Sequence, residues 1–116
     1  MLTINLEFRK GILFIRLKGK LNKDTVYKLN KRVIKLVKEN GIRNTVINTS
    51  NLKQIDMKGI NSLYYLYETV KDNNGTSMLC GVSDKMQKIF KKAHMFKYML
   101  NIETELDSFN ILEGVI

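Results

Sequence analysis

The segment Ile55-Asp56-Met57-Lys58-Gly59 places a carboxylate, a thioether, a cation and a glycine in succession, where an extended stretch gives way to a helical one. A helix start offers unpaired backbone N–H groups and the positive end of the dipole, so it favours carboxylates and anions. Asp56 suits that place as an N-cap. Lys58 does not, because a cation in the first turn is disfavoured by a few tenths of a kcal/mol up to about 1. Met57 is apolar with no evident core duty, and Gly59 permits close approach. Together the four residues read as a contact surface.

Elsewhere the residue types that do chemistry stand apart from one another. The one imidazole, His94, follows a predicted helix beside Lys91-Lys92, where a cap or surface role is expected. Cys80 lies inside a predicted strand and reads as a small buried hydrophobe. The 11 acidic residues are scattered and suggest no metal ligation. Gly75 and Gly81 do not form a phosphate loop, since no Lys-Ser/Thr pair follows the second. An enzyme is not expected, nor is a cofactor. Tyr65 is the aromatic residue expected to face outward.

The elements that must position these residues can be read from periodicity. Thr3–Arg9 and Ile12–Lys18 alternate, with Ile4, Leu6 and Phe8 and then Leu13, Ile15 and Leu17 inward, and Lys10-Gly11 between them suggests a hairpin. Gly19-Lys20-Leu21-Asn22 breaks the pattern. From Asp24 or Thr25 to Glu39 the period is helical, with Val26, Leu29, Val33, Leu36 and Val37 on one stripe and Asn40-Gly41 as a stop. Thr45–Thr49 reads as a short central strand, and 50–56 as a loop plugged by Leu52. A second helix runs from Gly59 to about Asp72 and buries Ile60, Leu63, Tyr64, Tyr67 and Val70. Thr76–Gly81 is a strand, with Met78 and Cys80 on one face and Leu79 on the other. A third helix, capped by Ser83 or Asp84, reaches Ala93. Met95, Phe96 and Met99 act as plugs, Leu100–Ile102 adds a short strand, and Thr104-x-x-Asp107 opens a last helix to about Leu112. The fold class is α/β: a mixed sheet of four to five strands packed with about four helices, in one domain over residues 1–116.

Composition narrows the functional classes. Of the 116 residues 44% are hydrophobic and 27% charged, as in soluble globular domains. No apolar run approaches the roughly 18 residues of a membrane span, so membrane insertion is not expected. The single cysteine excludes an internal disulfide and suits a reducing, cytoplasmic setting. The formal charge is +9, yet no Lys or Arg follows Lys97, so the first 97 residues carry 20 basic and 7 acidic side chains, a net of +13. Only 4 of the basic residues are Arg, which argues against specific nucleic-acid reading; a solvated lysine-rich surface is expected instead. Binding of anionic surfaces through these lysines remains an alternative, marked by a steep salt dependence.

Four stretches, in order, resemble the STAS domain, the family of bacterial anti-sigma factor antagonists. Ile15-Arg16-Leu17-Lys18-Gly19-Lys20-Leu21 is similar to its second-strand motif, and Val46 to Asp56 to its Val-x-Leu-Asp-Leu-Ser-x-Val-x-x-Ile-Asp. Asp56-Met57-Lys58-Gly59-Ile60 is similar to its Asp-Ser-Ser/Thr-Gly-Leu, and Met95 to Ile102 to its closing stretch. The resemblance implies a regulatory module that binds an anti-sigma factor of ATPase-kinase character and is switched by phosphorylation just before the glycine. Carried over, Asp56 and Gly59 match, while the phosphoacceptor position holds Lys58 and the preceding serine position Met57. Lysine has no hydroxyl, and its charge is opposite to that of a phosphate, so the implied switch is lost. Asn22 and Asn48 stand where the family commonly has Asp, removing negative charge from that end of the sheet. Ser62, one turn into the helix, is the nearest hydroxyl. The implied partner surface is Asn22, Asp56, Met57, Lys58, Gly59 and Ser62. The resemblance also allows another STAS-binding partner, with the chain as a subunit of a larger assembly, a stress-sensing scaffold or a lipid-transporter accessory. The sequence leaves the oligomeric state open.

Overall fold

A computed structural model describes residues 1–113. Strands β1 (Leu2–Arg9) and β2 (Ile12–Leu21) form an antiparallel hairpin. Its two-residue turn places Lys10 at φ 50° and Gly11 at φ 82°, the left-handed pair whose twist matches that of the flanking strands. Helix α1 spans residues 26–40 and contains a π-helical stretch at Leu29–Ile34. It ends where Gly41 turns left-handed at φ 59°. Strand β3 (Asn44–Ile55), helix α2 (Met57–Asp72), strand β4 (Thr76–Cys80) and helix α3 (Asp84–Lys92) follow. A short 3-10 turn (Met95–Lys97), strand β5 (Leu100–Ile102) and helix α4 (Asp107–Glu113) complete the described chain.

The sheet has 5 strands in the order β1-β2-β3-β4-β5, all parallel except the β1–β2 pair. Ile4, Leu13, Ile15, Leu17, Ile47 and Leu79 project from one face into a core completed by α1, α2 and α3. Ile12, Phe14, Val46, Met78 and Cys80 project from the other and are covered by Phe109, Ile111 and Leu112 of α4. The alternation across β4 falls as expected, with Leu79 opposed to Met78 and Cys80. Among the described residues no helix is long and apolar enough to cross a membrane.

Three expectations are corrected. Residues 50–55 are strand, not loop: β3 runs for 12 residues, and its second half pairs with Lys18–Leu21 of a longer β2. Two register shifts, opposite Arg16/Lys18 and Gly19/Lys20 of β2, each give β3 one extra residue (between Asn48 and Asn51 and between Leu52 and Gln54) and obscure its alternation in sequence. Phe8 is not inward but 60% exposed, because it lies at the far end of the edge strand. Leu66, rather than Tyr64 or Tyr67, fills the core side of α2, and the two tyrosines are half-buried against Tyr98. The overhang matters most for function. β3 pairs with β4 only through Asn48, so the β2–β3 ribbon continues past the rest of the sheet and carries the α1 and α2 starts at its tip.

Candidate functional site

At that tip the connection 22–25, leading into α1, meets the connection leading into α2. Asp56 joins them. Its Oδ1 accepts the Gly59 N–H at 2.8 Å and so caps α2. Its Oδ2 accepts the Lys23 N–H at 3.0 Å, and its own N–H donates to the Leu21 carbonyl at 3.2 Å. Partial desolvation pushes the Asp56 carboxyl up, but the backbone donors of Gly59, Lys23 and Lys58 outweigh it and hold the group below its ordinary value. The expected cap is therefore present, and the carboxylate also ties two loops together.

Gly59 is required by packing. A Cβ there would run into the Leu21 carbonyl oxygen and lie 2.7 Å from the Ile55 Cγ1, so only glycine lets α2 start this close to the end of β2. Asn22 organises its own turn: its Oδ1 accepts the Asp24 N–H at 2.9 Å, and its N–H donates to Thr25 Oγ1 at 2.9 Å. Thr25 Oγ1 in turn donates to the Lys20 carbonyl at 2.8 Å. Met57 is 66% exposed and Lys58 is exposed; among the described residues Lys58 forms no salt bridge.

Ser62 does not join this surface. It is 6% exposed, and its Oγ donates to Asn30 Oδ1 at 2.8 Å between α1 and α2. That bond, with Asn73 Nδ2 donating to the Val37 and Ile42 carbonyls at 3.1 and 2.9 Å, fixes the two helices side by side and running the same way. The shared direction puts Tyr27, which is 53% exposed, at the same end of the helix pair as Met57 and Lys58. Sequence reasoning passed over Tyr27; the signal was its place off the α1 apolar stripe. Tyr65 is outward as expected, at 48% exposure, and lines a shallow depression of about 240 Å³ with Lys38, Thr69, Asp72 and Asn73.

A second group, which periodicity could not reveal, lies on the opposite face. Arg16 donates from Nε and Nη2 to the two oxygens of Glu105 at 2.8 and 2.7 Å, from Nη2 to Glu7 at 2.8 Å and from Nη1 to Asn5 at 2.9 Å. Asn48 Nδ2 donates to Glu105 Oε2 at 2.9 Å, while its Oδ1 accepts from the Ser50 N–H and hydroxyl. The hydrogen bonds from Arg16, opposed by partial burial, hold the Glu105 carboxyl below its ordinary value. An aspartate at position 48 would turn a like charge on Glu105, so Asn48 belongs to this network and not to the Asp56 surface. The network docks the acidic stretch that precedes α4 against the sheet.

The other chemical candidates are placed as structural. Cys80 is 1% exposed, and burial first, with Glu105 adding, pushes its thiol up to about 11. His94 is exposed with φ 61°, a left-handed residue terminating α3. Among the described residues, no three His, Cys, Asp or Glu side chains come together as a metal site.

A five-stranded sheet with helices α1, α2 and α3 on one face and α4 on the other, and with a polar helix start projecting from a ribbon overhang, defines a small α/β module with an exposed loop-and-helix tip. The family model of the STAS domain matches residues 3–109, and the chain belongs to that family. It is 23% identical over 114 residues to an anti-sigma F factor antagonist from Paenibacillus polymyxa, covering 98% of this chain and 97% of that one. Among solved structures it is similar to an anti-sigma factor antagonist from Mycobacterium paratuberculosis (TM-score 0.85, 17% identity, 97% of this chain and 95% of that one). It is also similar to the unphosphorylated form of the anti-sigma factor antagonist SpoIIAA (TM-score 0.77, 19% identity, 97% and 99%). At these identities the structures establish the shared fold.

Proposed function

We propose that this chain is a non-catalytic regulatory module that binds an anti-sigma factor of ATPase-kinase character through the tip formed by Met57, Lys58 and the adjoining loop. We propose also that phosphorylation does not switch it. The observation that carries the reading is the composition of the tip. Asp56 and Gly59 keep the helix start that the family motif requires, whereas the position before the glycine holds an exposed lysine with no hydroxyl to accept phosphate. The nearest hydroxyl, on Ser62, is buried and bonded to Asn30, out of reach of a kinase while α1 and α2 stay packed. The module would then be permanently competent to bind.

The test incubates the purified chain with the cognate anti-sigma factor and ATP, then follows complex formation by calorimetry and phosphate by intact-mass spectrometry. A complex that persists in ATP, with no added phosphate on this chain, is expected. A stoichiometric phosphoserine on the wild type, or no complex under any nucleotide condition, overturns the reading. Lys58→Ser is the matched control, and it should accept phosphate and then release the partner.

A further inference from the structure

The outer edge of β1 is a backbone surface of defined polarity. The Lys20 N–H donates to the Met1 carbonyl at 2.9 Å, and the β1–β2 register continues from that pair without a bulge. In an antiparallel ladder, successive residues turn their N–H and C=O alternately toward and away from the neighbour. Met1, Thr3, Asn5, Glu7 and Arg9 therefore bond β2, while Leu2, Ile4, Leu6 and Phe8 direct their backbone groups to the open side. Lys28 Nζ donates to the Leu2 carbonyl at 3.0 Å, as that assignment requires. Among the described residues no hydrogen bond reaches the outward groups of Ile4, Leu6 or Phe8.

Such an edge is normally blunted by proline, a bulge or an inward-pointing charge. β1 has none of these on its helix-side face, which reads Leu2, Ile4, Leu6 and Phe8. Phe8 at the end of that row is 60% exposed, and Leu6 is half-buried.

We infer that β1 pairs with the β1 of a second copy of this chain, antiparallel about a two-fold axis through Leu6. In that register Leu6 opposes Leu6, and Ile4 of each copy opposes Phe8 of the other. Each opposed pair exchanges both backbone bonds, so all the unmet groups of Ile4, Leu6 and Phe8 are satisfied. Phe8 gains an aliphatic cross-strand partner on the same face. On the other face Thr3 opposes Arg9 and Asn5 opposes Glu7, so no like charges stand directly opposite, and Glu7 is already paired with Arg16 at 2.8 Å. A register two residues toward the N-terminus would instead set Leu2 against Phe8 and compete with Lys28 for the Leu2 carbonyl. The Leu6-centred pairing leaves that bond intact. This self-complementarity favours a second copy over a foreign strand. The contact involves a single strand from each copy, which places it among weak associations that fill at high concentration. It is centred on Leu6, whereas the Asp56 tip adjoins the N-terminal end of β1, where Met1 is bonded to Lys20.

The test follows the full chain by sedimentation velocity across a concentration series, with amide exchange measured by NMR at both ends of the series. The apparent mass should double, and the amides of Ile4, Leu6 and Phe8 should exchange more slowly at high concentration while those of Thr3, Asn5 and Glu7 stay unchanged. Leu6→Pro removes one outward donor without touching the β2 ladder. Phe8→Lys places a charge at a site already exposed, so it remains informative even if the proline variant does not fold. It should weaken association by about tenfold or more, since it acts twice in the symmetric pair. A chain that stays single at every concentration, a Phe8→Lys variant that associates like wild type, or protection of other amides instead would each overturn the inference. Pairing with a foreign strand alone would overturn its choice of occupant.

Discussion

Replacing Asp56 tests whether one carboxylate joins the two loops of the tip. Asp56→Ala removes the acceptor of the Gly59 N–H at 2.8 Å and that of the Lys23 N–H at 3.0 Å, while the Asp56 N–H bond to Leu21 survives in any residue. Loss of an N-cap costs about 1 kcal/mol. Loss of the Lys23 bond costs about 0.5–1.5 kcal/mol, toward the lower end because water can reach that donor. The sum is about 2 kcal/mol, a shift of about 1 M in the urea midpoint at a typical slope for a domain of this size. Asp56→Asn keeps one oxygen for the cap and turns an amide donor on Lys23, so about half of that loss is expected. The pH dependence has a definite sign. The folded carboxyl lies below its ordinary value near 3.8, so its stabilisation is complete above that value and is lost as the pH falls through the folded pKa. Urea curves for wild type and Asp56→Asn should therefore converge in acid. An alanine variant within about 0.5 kcal/mol of wild type, inside the range of an ordinary surface substitution, would show that Asp56 is not the anchor. A wild-type-to-asparagine difference that does not change with pH would show that the charge plays no part.

Gly59→Ala should destabilise by about 1–3 kcal/mol despite the better helix propensity of alanine, because the new Cβ meets the Leu21 carbonyl, a backbone atom that cannot swing away; urea unfolding measures it. Lys58→Glu should stabilise α2 by about 0.3–1 kcal/mol by placing an anion in its first turn, yet weaken binding of the partner, a divergence visible when thermal melts and calorimetry are compared. Glu105→Gln should cost about 1–2 kcal/mol at neutral pH, since it removes the charge from the two-pronged bond with Arg16. That difference should fade in acid, because the folded Glu105 carboxyl lies below its ordinary value and its contribution is lost as it protonates.

The strands and helices that keep a regular apolar period were legible from the sequence: the β1–β2 hairpin, α1, and the two-faced β4 all fall where alternation or helical spacing places them. The ribbon overhang was not. Asn48-Thr49-Ser50-Asn51 is a polar run that breaks alternation, and it bridges the register shift between Asn48, paired with Arg16, and Asn51, paired with Lys18, contacts that no local pattern encodes. The Arg16–Glu105 pair was hidden for the same reason, being 89 residues apart along the chain. Phe8 misled in the opposite sense, because alternation reports which face a side chain takes and not whether anything covers that face at a sheet edge.

The tip itself was legible through a conflict between residue type and local physics, and the structure sorts that conflict by residue. Asp56 and Gly59 are held by folding: one bonds both loops, and the other sits where no Cβ fits. Ser62 is held by the α1–α2 contact through Asn30. Asn22 shapes its own turn. In the proposed binding mode, substitutions at Asn22, Asp56 and Gly59 would lower binding simply by disturbing the tip, and at Ser62 by loosening α1 against α2. Met57 and Lys58 carry no such duty. Met57 leaves most of its surface in water, and Lys58 opposes the dipole of the helix it begins. Residues that fold gains nothing by keeping are the ones whose replacement reports on recognition, so Met57 and Lys58 are where loss of binding with unchanged stability should be sought. If Met57→Ala and Lys58→Ala both leave partner affinity intact, the recognition surface lies elsewhere on the module, whatever substitutions at Asp56 or Gly59 do.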